Sequence, residues 1–162
     1  MHAELLTTAE MAEADRLTIA SGVKGFGLME AAGRAVADRA AHLIRRRGGT
    51  RIEVLCGPGN NGGDGYVAAY ALREMGFEAE VRSLGDPRAL RGDAAKAYEL
   101  WNREASPLDM FDIEQADLVI DALFGAGLAR DLDGAARDLV ERVNDWRRTR
   151  GGCVLAVDVR CV

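Results

Sequence analysis

Five polar side chains sit where an otherwise apolar, glycine-punctuated sequence gives them chemical meaning. Asn60, Asn61 and Asp64 lie inside the run Gly57-Pro58-Gly59-Asn60-Asn61-Gly62-Gly63-Asp64-Gly65, in which five of nine residues are glycine. Asp121 lies in the apolar run Leu118-Val119-Ile120-Asp121-Ala122-Leu123-Phe124, and Asp158 in Val154-Leu155-Ala156-Val157-Asp158-Val159. Backbone N–H groups and carboxamides of a glycine-rich turn hold phosphates and other anions. Carboxylates pass protons, and together with a carboxamide oxygen they hold a hard cation better than they hold zinc. An aspartate in a buried strand costs several kcal/mol unless it is paired, hydrogen-bonded or metal-bound. Two such aspartates therefore mark a site, or carboxylates satisfied by backbone N–H groups or by capping the next helix.

The elements that must position these groups alternate along the chain. Arg51–Cys56 reads as a strand, the glycine run as the turn after it, and Tyr66–Met75 as a helix closed by Gly76. The glycines let that turn adopt positive φ and approach a ligand closely, or they serve close packing alone. The run contains G-x-G-x-x-G through Gly57, Gly59 and Gly62, but it lacks the Gly-Lys-Ser/Thr ending of a P-loop. The following strand, Phe77–Leu84, does not end in the acid that binds a ribose in dinucleotide folds. Asp86 falls in the next turn, which argues against an NAD-dependent dehydrogenase.

Charges on one face of Phe77–Leu84 suggest an edge strand. A helix is expected over Gly92–Ala105 and is broken by Ser106-Pro107. A strand is expected over Leu118–Phe124, a second glycine turn over Gly125–Leu128, a helix over Leu132–Thr149 and a last strand over Val154–Val159. Ahead of all these stand two helices. Thr7 and Glu10 form a capping box for one that runs to about Ala20. An alanine-rich helix from about Leu28 to Arg46 is suited to close packing or to a subunit interface.

This order implies an α/β fold, a mainly parallel sheet with helices on both faces and two leading helices. Ligands in such sheets bind beyond the C-terminal ends of the strands, at the switch point. If the strands before the glycine run, through Asp121 and through Asp158 are neighbours, then Asn61, Asp121 and Asp158 converge on one crevice.

Composition narrows the classes. The chain has 162 residues, 21 basic and 26 acidic, net −5, with 48% hydrophobic and 29% charged residues. One domain with a real core is expected, with no nucleic-acid or membrane partner. Arg45-Arg46-Arg47 is read as a complement to a helix C-terminus. Three cysteines (Cys56, Cys153, Cys161), no C-x-x-C and only His2 and His42 speak against zinc and for a reduced, cytoplasmic setting.

The glycine run, then Asp121-Ala122-Leu123-Phe124-Gly125-Ala126-Gly127-Leu128, then Ala156-Val157-Asp158-Val159, resemble the YjeF N-terminal domain, the NAD(P)H-hydrate epimerase family. Leu28-Met29-Glu30-Ala31-Ala32-Gly33 resembles its second helix. The likeness covers nearly the whole chain, 1–162, as a single domain, and implies a Rossmann-like three-layer α/β/α fold and an isomerase of nicotinamide nucleotide repair. Such an enzyme interconverts the R and S epimers of hydrated NADH and NADPH and binds a potassium ion.

Carried over by position, Asn60, Asn61, Gly62, Gly63 and Asp64 would bind the phosphate and ribose part of the substrate. Gly125, Ala126, Gly127, Leu128, Ala129, Arg130 and Asp131 would form a second substrate loop. Asn61 and Asp121 would be potassium ligands. Asp158 would meet the hydrated nicotinamide ring as the acid/base. The family is often dimeric and is in many bacteria fused to the dehydratase that consumes the S epimer, so a homodimer and a fused or separate dehydratase are expected partners.

Where the family continues Asp-x-Pro-Ser-Gly, this sequence reads Asp158-Val159-Arg160-Cys161-Val162. Cys161 stands in place of a potassium-binding serine, and the final elements of the sheet are expected to be missing. That departure keeps a second expectation open: a non-catalytic nucleotide-binding remnant, or the N-terminal part of a bifunctional epimerase/dehydratase.

Overall fold

The computed structural model describes residues 7–125, 128 and 131–158. Its strands are β1 (Arg51–Cys56), β2 (Glu78–Ser83), β3 (Ser106–Pro107), β4 (Leu118–Ala122) and β5 (Cys153–Ala156). Its helices are α1 (Thr8–Ala20), α2 (Gly25–Arg47), α3 (Asn60–Glu74), α4 (Gly92–Trp101) and α5 (Gly134–Arg150), with single 3-10 turns between them. Five strands pair in the order β3-β2-β1-β4-β5, and every pairing is parallel. The chain moves outward from β1 through β2 to β3, then returns to β1's other side for β4 and β5. The order reverses between β1 and β4, which is the switch point.

Side chains alternate across the sheet. Ile52, Val54, Val81, Leu118 and Ile120 face one layer, built from α2, α3 and α4. Leu55 and Val119 face the other, where Leu139, Val143 and Trp146 of α5 pack with Phe111 and Ile113. β4 is buried along its whole length, as expected for a strand covered on both faces. The alanines of α2 act as the sequence suggests: Ala37, Ala40 and Ala41 are buried. At Gly33 the helices cross so closely that a β-carbon would fall 2.5 Å from Cβ of Val67.

The helix ends follow from local chemistry. The Thr7 Oγ1 accepts the Glu10 backbone N–H at 3.3 Å, and the Glu10 carboxylate accepts the Thr7 N–H at 2.7 Å. Gly48 and Gly151 close α2 and α5 at φ 74° and 66°. No helix among the described residues is long and apolar enough to cross a membrane.

Four expectations are corrected. The glycine run is not a loop before a helix that starts at Tyr66: α3 begins inside it, at Asn60. Gly57, Gly59, Gly62, Gly63 and Gly65 do not use positive φ, which among the described glycines is confined to Gly22, Gly48, Gly76, Gly85, Gly92, Gly134 and Gly151. β2 is not the edge strand, because Ser106 and Pro107 pair with Arg82 and Ser83. Its charged face is instead accommodated by a bidentate pair, Arg82 Nε to Glu53 at 2.8 Å, with Glu53 only 5% exposed. Finally, α4 stops at Trp101 rather than Ala105, because Asn102 turns into the left-handed region at φ 48°. Asn is the side chain that tolerates this best after glycine.

Candidate functional site

β1, β4 and β5 are neighbours, so the groups that follow them meet at the C-terminal edge of the sheet. In register, Leu55 stands beside Asp121 and Asp121 beside Ala156. A crevice of about 1380 Å3 opens there, walled by Pro58–Asn61 and Asp64, by Leu123–Gly125 and Leu128, by Leu155–Asp158, and by one stripe each of α1 and α2.

The glycines allow that convergence by absence. A β-carbon on Gly57 would fall 1.7 Å from the Leu123 carbonyl oxygen, and one on Gly62 would fall 2.0 Å from the Gly57 oxygen. Gly63 presses on Met29, and Gly65 on Ala122 and Cys56. These contacts draw the first turn of α3 down onto the ends of β1 and β4. Burial beneath that turn pushes the Cys56 thiol up, which keeps it inert. Gly59 is different: nothing lies within 4 Å of its β-carbon position, and it caps α3 with extended backbone. The leading N–H groups of α3 therefore open toward the crevice past a residue with no side chain, a place for a phosphate or carboxylate.

Within α3, Asn60 and Asp64 are four residues apart and Asn61 and Asp64 three, so all three share one face. Asn61 Nδ2 is buried and has no hydrogen-bond partner among the described residues. Across the crevice a β-carbon on Gly125 would lie 2.6 Å from an Asp158 carboxylate oxygen and 3.7 Å from Cβ of Asn61. Gly125 thus lets Asp158 and Asn61 approach each other. Asp64 is half-buried, and its carboxyl is pushed up to about 7, first by burial and then by the charges of Asp158 and Asp15. A carboxyl in that range exchanges protons near neutral pH.

Asp121 is 2% exposed and lies behind the crevice wall rather than in it. One of its oxygens accepts the Leu123 N–H at 3.2 Å, and its backbone oxygen accepts the Val157 N–H at 2.9 Å. It thereby ties β5 and the Leu123 turn to the end of β4. The described residues offer no group of three His, Cys, Asp or Glu suited to a metal ion. The buried Asn61 carboxamide, once it presents its Oδ1, and the buried Asp121 carboxylate are instead oxygen donors, the kind that suits an alkali cation.

The positions singled out from sequence divide three ways. Asn60, Asn61, Asp64, Gly125, Leu128 and Asp158 line the crevice, and Asp121 lies beneath it. Gly62 and Gly63 are buried and seat the helix rather than line the crevice, and Asp131 is exposed and outside it. Ala126, Gly127, Ala129, Arg130 and Cys161 lie outside the described residues. Sequence reasoning missed Met11, Asp15 and Ile19 of α1 and Asp93 of α4, which also line the crevice. The four-residue steps from Met11 to Asp15 to Ile19 were the available signal, masked by the apolar Met11, Ala14 and Leu17 that suggest a different face.

Residues 25–160 match the family described as YjeF-related protein N-terminus. The chain is 42% identical over 140 residues to the NAD(P)H-hydrate epimerase of Rhodobacter capsulatus, covering 81% of this chain and 66% of that one. It is 42% identical over 137 residues to the Bordetella pertussis protein of the same name, covering 84% and 58%. It is 40% identical over 148 residues to the bifunctional NAD(P)H-hydrate repair enzyme Nnr of Thermofilum pendens, covering 85% of this chain and 27% of that one. The chain therefore spans less than two thirds of the length of these curated relatives. The crystal structure of yeast ynu0 shares the fold, with a TM-score of 0.83 at 23% identity, covering 98% of this chain and 71% of that one.

Proposed function

Since this chain belongs to the family of YjeF-related protein N-termini, we propose that it is an NAD(P)H-hydrate epimerase, an isomerase that interconverts the R and S epimers of hydrated NADH and NADPH. One observation carries the reading: Asn61 and Asp158 flank Gly125 at the switch-point crevice, beside the open N-terminus of α3. The leading N–H groups of α3 and the amides of Asn60 and Asn61 take the anionic part of the nucleotide. Gly125 to Asp131 serve as a second substrate loop, and Asp64 reaches the sugar. Asp158 faces the hydrated ring. Inversion at the hydrated carbon requires its hydroxyl to leave and return, or the ring to open and close. A carboxylate that gives and retakes a proton serves either route.

Potassium is part of the proposal, with Asn61 and Asp121 as ligands. The ion would supply positive charge against the phosphates and the surrounding carboxylates. The domain is read as one unit over 1–162, with a homodimer as its assembly. The test is a coupled assay. Mixed hydrated NADH is first drained of its S epimer by an S-specific dehydratase and its nucleotide. Adding this protein in potassium buffer then restarts NADH formation if it epimerises the R form. A flat trace from the folded protein overturns the proposal.

A second reading rests on the relatives named bifunctional repair enzyme, 38% identical over 164 residues in Hyperthermus butylicus. On it, the chain serves as the nucleotide-binding part of such a protein and works beside a dehydratase domain. Binding of hydrated nucleotide without epimerisation is the result that favours this reading over the first.

A further inference from the structure

Helix α1 lies ahead of the matched family region, which starts at residue 25. It nevertheless forms the outer wall of the crevice. Met11, Asp15 and Ile19 recur every four residues, so they share one face, and all three line it. Met11 and Ile19 stay about half exposed, at 52% and 50%, so this wall is wet and only partly packed. Asp15 is near enough to Asp64 for its charge to raise that carboxyl.

The other carboxylates at the crevice are placed differently. Asp93 holds Lys96 at 2.7 Å. Asp158 stands against Gly125, and Asp64 is half-buried on α3. Asp15 has no hydrogen-bond or ion-pair partner among the described residues.

The position that usually supplies a sugar-binding acid is taken. At the end of β2, Ser83 Oγ donates to the Gly85 carbonyl at 3.0 Å, while Asp86 accepts the Arg88 backbone N–H and guanidinium, each at 3.0 Å. The charge around Asp15 also selects its ligand. Asp64, Asp93 and Asp158 face the same space, and Arg39, on α2, is the one basic residue among the described lining residues. A phosphate is repelled there, whereas a hydroxyl donates readily to a carboxylate.

We propose that Asp15 is a substrate-binding residue: from the wall formed by α1 it accepts hydrogen bonds from sugar hydroxyls of the nucleotide whose anionic groups seat at the α3 N-terminus. The inference rests on the nucleotide reading of the crevice. A binding contact away from the reacting carbon is made equally in ground and transition states, so its loss appears in KM and Kd and not in kcat.

The experiment compares wild type with Asp15→Ala, Asp15→Asn and Glu13→Ala. Glu13 is exposed and pairs with Arg16 on the same helix, outside the crevice lining, which makes it the control for damage to α1. Hydrated NADH is the probe, in the coupled epimerase assay and in calorimetric titration. Asp15→Ala is expected to raise KM and Kd about tenfold with kcat unchanged, the size of one charge-assisted hydrogen bond. Asp15→Asn, which keeps an acceptor, falls between, and Glu13→Ala matches wild type. Unchanged KM and Kd in Asp15→Ala, or equal losses in Glu13→Ala, overturn the inference and leave the epimerase reading standing. Wild type that neither binds nor turns over hydrated NADH overturns both.

Discussion

The glycine run makes a steric prediction sharp enough to separate two uses of glycine. If Gly57 and Gly62 are required because protein atoms fill the space a side chain would need, alanine at either position forces the backbone apart. The β-carbon of Gly57→Ala meets the Leu123 oxygen at 1.7 Å, and that of Gly62→Ala meets the Gly57 oxygen at 2.0 Å. Both opposing atoms are backbone, so no rotamer relieves the clash. The turns after β1 and β4 must separate by more than an ångström to restore ordinary contact. That breaks local hydrogen bonding, including the Gly57 N–H to Ala122 carbonyl bond at 3.0 Å.

Overpacking of this kind costs about 3 to 5 kcal/mol where the obstacle is backbone. Gly59→Ala meets nothing within 4 Å and needs no positive φ. It costs about 0.5 to 1 kcal/mol, the preference for glycine over alanine at an N-cap. In thermal unfolding of a chain this size, 1 kcal/mol moves Tm by about 2 to 4 °C. Gly57→Ala and Gly62→Ala should therefore lose about 6 to 20 °C, and Gly59→Ala about 1 to 4 °C. A Gly62→Ala protein that melts with wild type refutes the steric account, and equal losses at all three positions would return the glycines to a conformational role.

Three further outcomes follow from the site. Asp158→Asn should lower epimerisation about 10²- to 10⁴-fold in the coupled assay, the size of a lost general acid/base contribution. The raised Asp64 carboxyl means that the folded state keeps a proton the unfolded chain releases near pH 4, so stability falls as pH rises from about 4 to about 7. Solvent access limits the effect to about 1 to 2 kcal/mol, and Asp64→Asn should flatten that slope in denaturant titrations between those pH values. Replacing potassium by tetramethylammonium should slow epimerisation in wild type, and Asn61→Ala should abolish that ion dependence when rates are compared across the two buffers.

Much of the architecture was legible because local and global signals agree. The Thr7–Glu10 box, the bounds of β1 and the nearly all-apolar β4 need no tertiary knowledge. The meeting of Asn61 and Asp158 at one crevice, with Asp121 behind its wall, required only that β1, β4 and β5 be adjacent, and they are. What stayed hidden depends on atoms distant in sequence. Glycine has a poor helix propensity, so Asn60–Gly65 reads as loop until Leu123 and Met29 are seen to leave no room for side chains. The charged face of β2 reads as an edge until Glu53 supplies the partner for Arg82. That the side-chain positions of Gly62 and Gly63 are filled by Gly57, Met29 and Ala94 is visible only in the fold. Asp15 escaped notice because its helix carries an unrelated apolar pattern and its value lies in what it faces across the crevice.

The most direct measurement starts from purified R-hydrated NADH. Incubated with this protein in potassium buffer and separated by chromatography over time, it should approach a fixed R/S mixture far faster than the buffer control. The same mixture should be reached from the S epimer, and Asp158→Asn should track the control. A folded wild-type protein that leaves both epimers unchanged would contradict the central claim that this crevice epimerises hydrated nicotinamide nucleotides.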